Sequence, residues 1–85
     1  SSAEVDYILP YKGNIIPIEV KAGAIGKLRS LLRFMDEAPH SIAVRVYQGE
    51  YLVQQAKTIA GKEFTLLNLP LYMIHRIERE LDKLM

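Results

Sequence analysis

The 85-residue chain predicts one α/β domain of the α+β kind, a short mixed β-sheet built from a hairpin, a crossover helix, further strands and a C-terminal helix. Three observations predict it. Two β-like segments flank a turn signal near the start, apolar residues then change to helical spacing, and a second helical stripe closes the chain. Glu4 to Pro10 alternates polar and apolar residues at its start, and Ile15 to Lys21 is rich in isoleucine and valine, so both read as strands. Tyr11-Lys12-Gly13-Asn14 lies between them, with Gly13 and Asn14 both suited to positive φ, which makes the pair a hairpin.

From Ile25 the apolar positions become Ile25, Leu28, Leu31, Leu32 and Met35, one face of a helix that Pro39 ends. His40 to Tyr47 reads as a third strand, Tyr51 to Ala60 as a fourth and Glu63 to Leu69 as a fifth, with turns at Gln48-Gly49-Glu50 and Gly61-Lys62. Pro70 suits a first helical turn. After it Leu71, Ile74, Ile77, Leu81 and Leu84 form an inward stripe, leaving Arg76, Glu78, Arg79, Glu80, Asp82 and Lys83 outward. A helix between the second and third strands lets them run parallel through a right-handed crossover.

Composition narrows the functional classes. Half the residues are hydrophobic (49%) and a quarter charged (25%), an ordinary globular balance. There is no cysteine, hence no disulfide framework, zinc-thiolate site or cysteine nucleophile, which fits an expected cytoplasmic protein. No apolar run approaches the roughly 20 residues of a membrane-spanning helix, so no membrane partner is expected. Eleven basic residues against ten acidic ones leave a net charge of +1, so any nucleic-acid binding has to be local.

The local feature is a set of charges on one strand face. Side chains two apart share a face, which places Glu4 with Asp6, and Glu19 with Lys21, while Ile16, Ile18 and Val20 face the other way. A two-residue loop at Lys12-Gly13, or the four-residue loop of the same register, sets Asp6 directly across from Glu19 and Glu4 across from Lys21. A loop at Gly13-Asn14 sets Asp6 opposite Lys21 and keeps all three groups together. A three-residue loop moves Asp6 to the apolar face beside Val20, which the hydrophobic pattern disfavours. Facing carboxylates repel, and a divalent cation relieves that repulsion: Mg²⁺ is commonly held by one or two carboxylates together with waters and substrate phosphates. Lys21 beside such an ion suits stabilisation of charge developing on phosphorus.

Glu4-Val5-Asp6 followed by Ile16-Pro17-Ile18-Glu19-Val20-Lys21-Ala22-Gly23 resembles the central signature of the PD-(D/E)xK nuclease superfamily. It is particularly similar to a domain of unknown function at the C-terminus of many bacterial and archaeal AAA-type ATPases. There a glutamate-x-lysine strand, a leucine-rich helix (here Leu28 to Met35) and a Leu-Pro-Leu-Tyr segment (here Leu69 to Tyr72) recur. The resemblance implies a restriction-endonuclease-like core lacking its N-terminal helix, with residues 1–85 a single C-terminal portion of a longer ATPase-containing protein. It makes Asp6 and Glu19 the metal ligands and Asp6, Glu19 and Lys21 the catalytic set, acting with Mg²⁺ or Mn²⁺ on DNA. Val5 stands where the signature has proline, and the superfamily's further acidic residue lies on a helix upstream of the first core strand. The alternative is a non-catalytic accessory domain that docks on the ATPase domain of the same full-length protein.

Other residues have plainer readings. Glu4 suits a cross-strand ion pair with Lys21, and Gly23 and Gly26 suit a strand-to-helix turn. Lys27, Arg29 and Arg33 suit a solvated helix face, although phosphates could also reach them. His40 and His75 lack spaced partners for a metal site or triad, and Tyr7, Tyr11, Tyr47, Tyr51 and Tyr72 are scattered as packing residues.

Overall fold

The computed structural model describes residues 4–21 and 28–85. Strands β1 (Tyr7–Tyr11) and β2 (Asn14–Val20) form the hairpin, followed by helix α1 (Arg29–Glu37) and strands β3 (Ile42–Tyr47), β4 (Leu52–Lys57) and β5 (Glu63–Pro70). A 3₁₀ helix (Leu71–Arg76) and helix α2 (Ile77–Asp82) end the chain. The five strands make one sheet in the order β1-β2-β3-β5-β4. β2, β3 and β5 run parallel in its centre, and the edge strands β1 and β4 are antiparallel to their neighbours. The expected mixed sheet, hairpin, crossover helix and C-terminal helix are all present.

The hairpin closes on Lys12-Gly13, and Tyr11 pairs with Asn14 and Tyr7 with Ile18. Lys12 (φ 49°) and Gly13 (φ 80°) take the left-handed conformation, whereas Asn14 already belongs to β2. Positive φ at both loop residues is the primed turn whose twist matches a two-residue hairpin. The strand expected from Glu4 begins only at Tyr7, because Asp6 bends away to use its side chain on the β2 backbone.

Alternation along the strands builds two cores. Ile16, Ile18, Val44, Val46, Leu67 and Leu69 meet Ile77 and Leu81 on one side, and Ala43, Phe64 and Leu66 meet Leu31 and Met35 of α1 on the other. The α1 stripe therefore does what its spacing predicted, while Ile25 lies outside the described residues. Ala38 is extended (φ −71°, ψ 142°), as the residue before Pro39 prefers. The Lys62 ammonium completes the end of α1, donating to the carbonyls of Met35 (2.9 Å) and His40 (2.7 Å) and to that of Ala38.

The C-terminal segment departs from expectation. It opens as a 3₁₀ helix, whose three residues per turn rotate side chains away from a 3.6-residue stripe, so Leu71 (48%) and Ile74 (44%) are exposed. Glu80, expected outward, is only 2% exposed. Lys83 lies 3.1 Å from its carboxylate, and the Tyr51 hydroxyl stands within hydrogen-bonding reach. The hairpin loop is tied to the same helix, since the Tyr11 hydroxyl donates to Asp82 and Lys12 stands 3.6 Å from it.

Candidate functional site

The parallel arrangement decides where polar groups gather. Glu19, Arg45 and Asn68 lie near the carboxyl ends of β2, β3 and β5 and are neighbours in register, Glu19 opposite Arg45 and Arg45 opposite Asn68. They share the sheet face that Ala43 and Leu66 present to α1, because residues two apart on a strand point the same way. A polar row thus crosses an otherwise apolar sheet at the end where α/β sheets usually bind ligands.

The hairpin delivers the first members of the row. One step beyond the Tyr7–Ile18 pair, the Asp6 carboxylate accepts a hydrogen bond from the Val20 N–H (2.8 Å), which fixes it beside Glu19. Glu19 is only 6% exposed. Burial pushes its carboxyl above the ordinary range, and the Asp6 carboxyl, within hydrogen-bonding reach, pushes it further the same way. The Lys21 ammonium, 3.8 Å from Glu19, and the Asp6 backbone N–H act in the opposite direction. Lys21 is itself placed by its N–H, which donates to the Val46 carbonyl (2.8 Å). Asp6, Glu19 and Lys21 are therefore brought together, in the register that faces Asp6 with Glu19.

The two carboxylates fit a small divalent cation by donor chemistry. Both are oxygen donors, they crowd each other, and they are balanced by one ammonium. Among the described residues no group of three or more His, Cys, Asp or Glu gathers to hold a metal. An ion here would draw its remaining ligands from water or substrate, as Mg²⁺ commonly does.

Beyond Lys21 the row contains residues that sequence reasoning missed. Arg45 donates from Nε to the side-chain oxygen Oδ1 of Asn68 (2.7 Å), and its guanidinium lies 4.6 Å from the centre of the Tyr47 ring. Asn68, fully buried, donates its amide to Gln54 Oε1 (2.6 Å) and the Leu52 carbonyl (3.1 Å). The available signal was a lone arginine in IAVRVY and a lone asparagine in LLNLP, each interrupting an apolar run.

The remaining candidates separate from this cluster. Glu4 is exposed ahead of β1, and the ion pair of Lys21 is with Glu19. Gly23, Gly26 and Lys27 lie outside the described residues, and Arg29 and Arg33 are exposed on α1. His40 is structural: its Nδ1 accepts from the Ile42 N–H (3.3 Å), leaving Nε2 to donate to the Ile15 carbonyl (2.7 Å). Tyr11 and Tyr47 pack as expected, but Tyr7 and Tyr72 are largely exposed.

Fold and site together define a two-sided α/β domain with an acidic pair and two cations at the carboxyl ends of parallel strands. Residues 1–72 match the family described as domain of unknown function DUF4143, and the chain belongs to that family. Neither the curated proteins nor the solved structures provide a match.

Proposed function

We propose that this DUF4143 domain carries a nuclease-like site of the PD-(D/E)xK type, in which Asp6 and Glu19 would hold Mg²⁺ or Mn²⁺ and Lys21 acts beside them on a DNA phosphodiester. The observation carrying this reading is the carboxylate pair itself, one member buried against its neighbour with a single ammonium 3.8 Å away. Such crowding is unfavourable for folding and becomes useful once a cation is bound. A bound divalent ion supplies Lewis acidity and a more acidic water. The chain's own residues do the rest. The Val20 N–H orients Asp6, the fold keeps Glu19 from water, and Lys21 offers positive charge to an oxyanion developing at phosphorus.

Purified protein incubated with plasmid or oligonucleotide DNA and Mg²⁺ or Mn²⁺ is expected to show cleavage that Asp6→Ala and Lys21→Ala each reduce at least about a hundredfold, the usual scale for removing one transition-state contact. Cleavage unchanged by both substitutions contradicts the catalytic reading.

A second reading is favoured by a different observation. Tyr7 and Ile8 on the edge strand β1, and Leu71, Tyr72 and Ile74 on the 3₁₀ helix, are exposed apolar side chains of the kind that mark protein contacts. On this reading the domain is a cytoplasmic accessory unit that docks on the ATPase domain of a longer protein. Co-purification with that ATPase domain, lost on Tyr72→Asp or Ile74→Asp, supports it, and retention by both variants contradicts it. No helix among the described residues is long and apolar enough to cross a membrane.

A further inference from the structure

Arg45 stands directly across from the buried Glu19, yet among the described residues the two form no ion pair. A half-buried guanidinium beside a buried carboxylate would ordinarily take it as its partner, since a bidentate pair is the strongest contact available to either. Instead the arginine is held from elsewhere. Asn68 accepts from Nε (2.7 Å) and the Tyr47 ring lies beneath the guanidinium (4.6 Å). Both supports are themselves fixed. Asn68 is fully buried and donates its own amide to Gln54 and the Leu52 carbonyl. Tyr47 donates its hydroxyl to the Glu50 carbonyl (2.8 Å), and Gly49 lies so close that a Cβ there would stand 2.4 Å from the ring.

Holding Nε and the ring plane fixes the direction of the fork and leaves both terminal NH₂ groups without a hydrogen-bond partner among the described residues. Such a planar, preorganised double donor matches phosphate oxygens. Its place on the sheet identifies the ligand further. Tyr47, over which the guanidinium lies, is one step past the Val20–Val46 pair, level with Lys21, so the two cations flank the carboxyl ends of β2 and β3. An isolated anion there would meet the charges of Glu19 and Asp6. A polymer of phosphodiesters can set one phosphate on Arg45 while another lies toward Lys21.

We propose that Arg45, positioned by Asn68 and Tyr47, is a nucleic-acid phosphate-binding residue flanking the Asp6–Glu19–Lys21 cluster. The proposal deepens the nuclease-like reading by assigning it a backbone contact, and it concerns binding alone, so it can be tested without turnover. The probe is a fluorescein-labelled DNA duplex, with binding followed by anisotropy in EDTA over a series of salt concentrations. Wild-type protein is expected to bind at low salt. Arg45→Gln is expected to weaken binding about tenfold and to lower the slope of log K against log salt by about one, the signature of one lost phosphate contact. Arg45→Lys keeps the charge but loses the Nε bond and the planar stack, and is expected to preserve the slope while weakening binding severalfold. Gly49→Ala, which displaces the Tyr47 ring without touching the charge, should resemble Arg45→Lys. Circular dichroism establishes that each variant is folded.

Absence of wild-type binding at low salt overturns the proposal, as does a folded Arg45→Gln with unchanged affinity and slope. The two readings fail separately. DNA cleavage dependent on Asp6 and Lys21 but indifferent to Arg45 refutes this assignment alone, whereas Arg45-dependent binding without any cleavage refutes the catalytic reading alone.

Discussion

Replacing Glu19 by glutamine is expected to stabilise the domain while removing the divalent-cation binding proposed for the Asp6–Glu19 pair. At this carboxylate the charges of Lys21 and Asp6 pull in opposite directions. At an effective dielectric of about 20, an ion pair near 4 Å is worth about 4 kcal/mol, which sets the scale for the attraction to Lys21 at 3.8 Å. Repulsion from the Asp6 carboxyl, within hydrogen-bonding reach, is of the same order and opposite sign. Desolvation of a residue only 6% exposed is left over, and it opposes the charged form. The amide keeps the shape and can still accept from the Asp6 N–H, so relief of this crowding is expected to be worth about 1 kcal/mol, in the usual range of a single stabilising substitution. For a chain of this size that raises Tm by about 4–8 °C. Thermal unfolding followed by circular dichroism at pH 7 without added metal measures it, and titration calorimetry with Mn²⁺ measures the loss of binding. A lower Tm for Glu19→Gln refutes the reasoning, because the buried carboxylate would then be a net stabilising partner of Lys21.

Other consequences follow from the supporting structure. Glu80 is held below its ordinary value of 4.5, first by the Lys83 hydrogen bond and with help from Tyr51 and Arg76. Its ionised form therefore adds stability above about pH 4.5 that is lost as pH falls through the lower folded value. Urea unfolding at pH 7 and pH 3 should show Glu80→Gln less stable than wild type at the higher pH, with the gap narrowing at the lower; a gap that widens in acid contradicts the assignment. Lys62→Met strips the end of α1 of its cation and is expected to cost about 2 kcal/mol, read as a lower urea midpoint with unchanged slope. Gly13→Ala should cost about 1 kcal/mol from backbone conformation alone, since nothing lies within 4 Å of the added Cβ while φ is +80°. A neutral outcome in either of these two unfolding experiments contradicts its stated cause.

What the sequence made legible was local. That Ile16 and Ile18 need one face ruled out the slip that buries Asp6, and left two loops open, of which the structure takes Lys12-Gly13 and so brings Asp6 to Glu19. The Leu28 to Met35 stripe followed from spacing that a helix alone can bury on one side. What stayed hidden depends on pairing between distant segments. Nothing near Arg45 in the chain says that β5 will lie beside β3, and without that neighbour the acceptor on Asn68 is invisible. The inward turn of Glu80 likewise needs Tyr51 from another element and a helix whose first turns are 3₁₀. The α1 cap by Lys62 joins residues far apart in sequence for the same reason. The polar cluster was thus half readable: its hairpin members were, and the arginine that extends it across the sheet was not.

If Asp6 and Glu19 form a divalent-cation site beside Lys21, the ion must sit within a few ångströms of the end of β2. Titrating ¹⁵N-labelled protein with substoichiometric Mn²⁺ and recording amide line broadening tests it most directly, because paramagnetic relaxation localises the ion without any substrate. The expected result is broadening centred on the amides of Asp6, Val20 and Lys21 that Glu19→Gln abolishes. Broadening absent from these amides, or unchanged in Glu19→Gln, would contradict it.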